Sequence, residues 1–228
     1  MTKVWWSCAH FKWALAHSAS GFAYSEEGAE KERREECAVP IGIAIRDPRQ
    51  QLFDAAERIL LRDGPNALTS RAVTAEAGVA KGVLHRHFTD FDSFLAELVL
   101  DRVARVETQE TALLRQAGTG TVTDNLRRAL TELFDPVAVA IVSLIIFRDD
   151  LRAKLRQTQP AGVPILAQAS AMLAAYLTAE RELGRLAPGA DVETLALSLI
   201  GTGHMLFAGR DDPPDETAVR QAVAGITG

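Results

Sequence analysis

The chain has 228 residues, 47% hydrophobic and 24% charged, which excludes disorder throughout and suffices for one large or two small domains. With 25 basic and 30 acidic residues the net charge is −5, so any nucleic-acid contact must come from a local basic patch. Two cysteines, Cys8 and Cys37, can build neither a disulfide framework nor a multi-cysteine zinc site, and no stretch nears the ~18 apolar residues of a membrane span. A soluble protein in a reducing, cytoplasmic compartment, with no metal and no membrane partner, is the expectation.

Residues 1–45 stand apart, holding Trp5, Trp6, Trp13, both cysteines and a mixed charge run from Glu26 to Glu36 without a sustained period. A signal-peptide reading of Lys3 and Val4–Ala19 is interrupted by His10, Lys12 and His17. The segment reads as a disordered extension, or as residues ahead of a start further along, for example at Val39.

Regular signals begin at Asp47-Pro48-Arg49-Gln50, which offers an N-cap, a proline at the first helical position and a glutamine three residues after the cap. The stripe Leu52, Phe53, Ala56, Ile59, Leu60 predicts a first helix ending at Asp63-Gly64-Pro65. A second helix is predicted from the Thr69 cap to Ala77, with Gly78 in the turn, and a third over 81–88. Asp90 caps a long fourth helix whose stripe Phe94, Leu95, Leu98, Val99, Val103, Val106 leaves the small unit and enters a second one. Breaks rich in Gly and Pro then cut out helices over 123–134, 137–148, 149–157, 164–184, 191–208 and 215–226, with Ile141–Phe147 β-branched enough to suit a strand as well. An all-α protein is the consistent reading.

The two short helices around Gly78 have the length of a helix-turn-helix, whose second helix lies in the DNA major groove. Ser70, Arg71, Lys81, His85, Arg86 and His87 place donors there, with three cations against Glu76 between Thr69 and Phe88. Lys81 and Arg86 suit phosphate or a guanine edge, Gly82 permits close backbone approach and Val83 can touch a thymine methyl. Val73, Val79, Leu84 and Phe88 are expected inside. Arg46 and Arg49, at the start of helix one, are candidate phosphate contacts or ordinary solvated arginines.

The order Leu68-Thr69-Ser70-Arg71-Ala72-Val73, then Ala77-Gly78-Val79-Ala80-Lys81-Gly82-Val83-Leu84-His85-Arg86-His87-Phe88, then Asp90 and Leu95, resembles the DNA-binding domain of the TetR family of transcriptional regulators over about residues 48–99. Three positions depart from that pattern: His85 stands for a tyrosine, Ala80 for a capping serine or threonine, and Phe91 for a phosphate-binding lysine. The missing cap implies a local loss of about 1 kcal/mol, Phe91 implies weaker phosphate binding, and His85 implies DNA binding sensitive to pH between roughly 6 and 8.

The resemblance implies an N-terminal helix-turn-helix domain over 46–90, joined through the fourth helix to a helical effector-binding and dimerisation domain over 91–228. It implies a homodimer through 164–184 and 191–208 that reads a palindromic operator in double-stranded DNA, a small apolar or amphipathic effector, no cofactor and no catalysis. A monomer's own core could use the same apolar pattern in those two helices. Candidate effector contacts are Phe134, Leu144, Phe147, Gln168, Met172, His204, Met205 and Phe207, each of which also suits simple core. A helical ligand-binding protein or enzyme without DNA activity is the alternative, although H-E-x-x-H, G-x-S-x-G and phosphate-loop spacings are absent. A third reading keeps DNA binding and loses the effector, and a cavity too small, or filled by Phe147 and Phe134, would support it.

Overall fold

A computed structural model describes residues 47–157, 162–208 and 212–228; the expectations for residues 1–45 and for Arg46 lie outside them. Among the described residues there are ten α-helices, one 3-10 turn and no strand. Helix α1, Pro48–Asp63, starts where Asp47 accepts from the amides of Arg49 (3.0 Å) and Gln50 (3.2 Å). The reciprocal bond of a capping box is not made, because the Gln50 amide donates at 2.8 Å to Asp54, a charged acceptor one turn on. Gly64, at φ +79°, ends α1 in a conformation that favours glycine, and a 3-10 turn, Pro65–Ala67, follows.

Helix α2, Ser70–Glu76, is capped by Thr69, whose hydroxyl accepts from the Ala72 amide at 3.1 Å. Gly78, at φ +67°, turns the chain into α3, Gly82–His87, which has no side-chain cap, as Ala80 implied. Helix α4, Phe91–Leu114, is capped by Asp90 and runs two turns past Val106. These four helices close on rings and aliphatics: Phe94 meets Phe88 edge-on at 5.1 Å and Phe53 at 5.6 Å, beside fully buried Leu52, Val73 and Leu84.

Helices α5, Val122–Leu133, α6, Pro136–Phe147, α7, Asp149–Leu155, α8, Pro164–Glu182, α9, Val192–Phe207, and α10, Glu216–Thr227, complete the fold. The ambiguous Ile141–Phe147 segment is helical. Asp135 accepts from the Ala138 amide, Pro136 opens the helix, and Ile141, Val142, Leu144 and Ile145 are all buried, so packing overrides β-branching. Helix α4 lies along α8, α8 along α9, and α5 against α10, while α6 packs back on α1 and the 3-10 turn. Contacts therefore join the described residues into one unit.

The apolar stripe of α8, from Ile165 through Ala169, Met172, Leu173 and Tyr176 to Leu177, is buried within this one chain, as are Leu199 and Ile200 of α9. The surface of the pair that remains open carries Ala167 and Ala171 on α8 and Leu197, Ser198, Gly201 and Met205 on α9. A buried polar network ties the base of α8 to the turn before α5. The Tyr176 hydroxyl donates to Glu180 at 2.5 Å and accepts from the Asn125 amide at 2.9 Å, and that amide also reaches the Thr119 carbonyl at 2.9 Å. Burial first, and then the Glu180 carboxylate, push the phenol well above its ordinary pKa, which keeps it a neutral donor. Arg185 closes the network on the other Glu180 oxygen at 3.3 Å.

Candidate nucleic-acid interface and helical cleft

The short helix α3 is anchored by one fully buried side chain, Leu84, with Phe88 just beyond it. That register turns Lys81, Gly82, His85 and Arg86 outward, with His87 half-buried, while Arg71 of α2 is exposed and Ser70 half-buried. Val83 is half-buried against the core, so only part of its surface is open to a ligand, and Val79 is likewise half-buried. The acidic residue of the segment is diverted: Glu76 accepts from Arg58 at 2.9 Å and Arg62 at 3.0 Å, and these bonds hold its carboxyl below the ordinary range. Arg71, Lys81 and Arg86 meet no carboxylate among the described residues. The result is a small cationic face on a chain of net negative charge.

Arg49 is placed differently from a free phosphate contact. It pairs with Glu97 of α4, and its guanidinium lies 4.8 Å from the centre of the Phe88 ring. Phe91 stacks on Phe94 at 5.6 Å and carries the guanidinium of Arg148 at 5.4 Å, whose Nε donates to Asp92 at 2.9 Å. Lys154 of α7 donates to both oxygens of Asp90 (2.9 and 3.0 Å) and to the Ser93 hydroxyl, and it is the main reason the Asp90 carboxyl is drawn down to about 2. Two cations of the α6–α7 region therefore grip the first turn of α4, immediately after α3. No spacing in the sequence announces these pairs, since their partners lie some sixty positions apart.

The candidate effector contacts do not converge on one cavity. Phe134 is buried, stacked on Phe207 at 5.6 Å, and occupies the space a Cβ at Gly203 would need, meeting it at 2.3 Å. Leu144 is buried core, whereas Phe147 and Met205 are 83% and 77% exposed. Gln168 donates to Glu110 at 3.2 Å and fastens α8 to α4. His204 is half-buried beside Phe134. Met172 alone among them lines a cleft of about 100 Å³ between α4 and α5, which otherwise presents Gln109, Gln116, Arg128 and Glu132 over Leu113 and Ala129. Sequence reasoning passed over these four polar residues because each reads as solvated helix surface; the available signals were the seven-residue step of the glutamines and the four-residue step of Arg128 and Glu132. Among the described residues no three His, Cys, Asp or Glu side chains converge as metal ligands would, and no single helix is long and apolar enough to cross a membrane.

Residues 52–98 match the family of bacterial regulatory proteins called the tetR family. No curated protein matches the chain. Solved structures resemble it throughout the helical region. The transcriptional regulator FadR from Bacillus subtilis, in complex with stearoyl-CoA, is 18% identical over 78% of this chain and 97% of its own, with a TM-score of 0.61. GusR from Salmonella enterica is 17% identical over 79% and 95%, at 0.60. A TetR-family member from Streptomyces coelicolor is 24% identical over 80% and 99%, at 0.57. The match is centred on the cationic helix pair, so residues 52–98 carry the DNA-binding domain of the tetR family of bacterial regulatory proteins, and the all-helical body shares the fold of these solved structures.

Proposed function

We propose that the protein is a cytoplasmic, non-enzymatic repressor that binds a palindromic operator as a homodimer and leaves it when a small molecule enters the helical region. The observation that carries this reading is the exposed trio Arg71, Lys81 and Arg86, unpaired among the described residues and set on two adjacent short helices. In the reading, residues 46–90 form the DNA head and 91–228 the effector and dimer region. The head's ligands are Thr69, Ser70, Arg71, Lys81, Gly82, Val83, His85, Arg86 and His87, with Arg49 held back by Glu97 until DNA competes for it. The dimer forms through the open surface of α8 and α9, where small residues and exposed Leu197 and Met205 favour close helix approach. The grip of Lys154 and Arg148 on the start of α4 supplies a path by which the helical region changes the pose of α3.

Selection of genomic fragments by the purified chain at two salt concentrations tests the DNA part. Recovery of a short palindrome, weakened by salt and lost with Arg86→Ala or Lys81→Ala, is the expected result; retention of nothing above background overturns it. Phe134 filling the interior beside Gly203 favours a second reading, an effector-free regulator, and a palindrome released by no small molecule would select it.

A further inference from the structure

The helical region is tightly filled around Phe134. Leu126, Leu130, Ile141, Ile145, Leu151 and Leu173 are each 1% exposed or less, and Phe134 fills the space beside Gly203. A cavity of ~150 Å³ is what a benzene ring needs, so a long acyl chain has no room in the cleft between α4 and α5, at about 100 Å³. What the cleft offers instead is unmatched polarity. Arg128 and Glu132 both face it and neither has an ion-pair partner among the described residues. The side-chain oxygen of Gln109 is buried there without a hydrogen-bond donor among the same residues. Leu113, Ala129 and Met172 form an apolar floor large enough for a short side chain.

An acceptor short of a donor, a cation short of an anion and an anion short of a cation, all on one small cleft, define the complement. We propose that this cleft binds a small zwitterion of the α-amino-acid class, its carboxylate on Arg128 and its ammonium between Glu132 and the Gln109 oxygen. The proposal rests on the effector-responsive reading above and names the chemistry of that effector. Recognition is linked to the rest of the fold through one bond: Arg128 donates at 2.5 Å to Asn125, whose amide belongs to the network with Tyr176 and Thr119. A carboxylate that draws the guanidinium toward itself competes with that bond and perturbs the turn between α4 and α5.

Calorimetric titration of the full chain with each standard L-amino acid, with the matching amines that lack the carboxylate, and with stearate tests the assignment. At least one amino acid with a short side chain should bind, while its amine and stearate should not. Arg128→Gln and Glu132→Gln should each weaken binding about tenfold or more, as loss of one charge-assisted bond requires, and Glu132→Gln, whose exposed side chain takes no part in the Asn125 network, should keep the helical content and thermal midpoint of the parent. Binding of none of the amino acids at millimolar concentration, or equal binding by Arg128→Gln, overturns the proposal. Retention of DNA by the same preparation separates the two conclusions: a recovered operator with no amino-acid binding sinks only the zwitterion, and amino-acid binding without an operator sinks only the DNA reading.

Discussion

The head and the helical region hold their polar groups in opposite ways. Around α2 and α3 the cations are turned outward and left without partners, while the one acid nearby, Glu76, is tied up by Arg58 and Arg62. In the helical region one polar cluster is drawn inward and bonded within itself: Asn125, Tyr176 and Glu180 are 2% exposed or less and joined through the Tyr176 hydroxyl. A surface kept poor in internal partners is available to an external polyanion; a buried network bonded within itself fixes helix positions.

The sharpest way to break this contrast is at the aromatic cluster supporting the head. Phe94→Ala removes a fully buried ring in contact with Phe53, Phe88 and Phe91, and should cost about 3–5 kcal/mol in denaturant unfolding. Tyr176→Phe tests the other side, since it leaves Glu180 and Asn125 without their shared hydroxyl; a loss of about 1–3 kcal/mol is expected. Gly203→Ala should destabilise by about 1–3 kcal/mol through overpacking on Phe134, whereas Gly201→Ala, with open space around it, should not. Arg86→Ala should leave stability within about 0.5 kcal/mol of the parent yet reduce the salt slope of DNA binding by about one, readable by titration of the recovered operator at several salt concentrations.

The smallest effect concerns the junction of the two regions. Asp90, with its carboxyl drawn to about 2 by Lys154, contributes stability that is complete above its ordinary value of 3.8 and disappears as the pH falls through about 2. In Lys154→Met, carboxyl titration followed by NMR should show Asp90 moving up toward 3.8.

How much of this was legible follows from range. The caps Asp47, Thr69 and Asp90 act within three residues of themselves, and each helix start they announced is found where the sequence put it, to within a residue. Periodicity likewise marked Leu52, Val73, Leu84 and Phe94 as interior, because burial of one helix face needs no knowledge of its partner. The pairing of Arg49 with Glu97 and of Lys154 with Asp90 depends on how helices distant in sequence are laid together, and no local pattern encodes it. The effector candidates failed to converge for the same reason. Apolar residues in the last helices signalled that something would be buried, while the polar ones that line the cleft looked like ordinary surface.

The bare start of α3 has a further consequence. Without a side-chain cap, with Leu84 as its one buried residue and with the Val83 amide held only by the Ala80 carbonyl at 2.9 Å, this six-residue helix has few bonds to close its first turn. A helix so lightly held should open at lower free energy than α1, and bound DNA should add to its order. Operator contact should therefore slow amide exchange at Gly82 and Val83 far more than in α1, and the conformational entropy lost there is subtracted from the affinity.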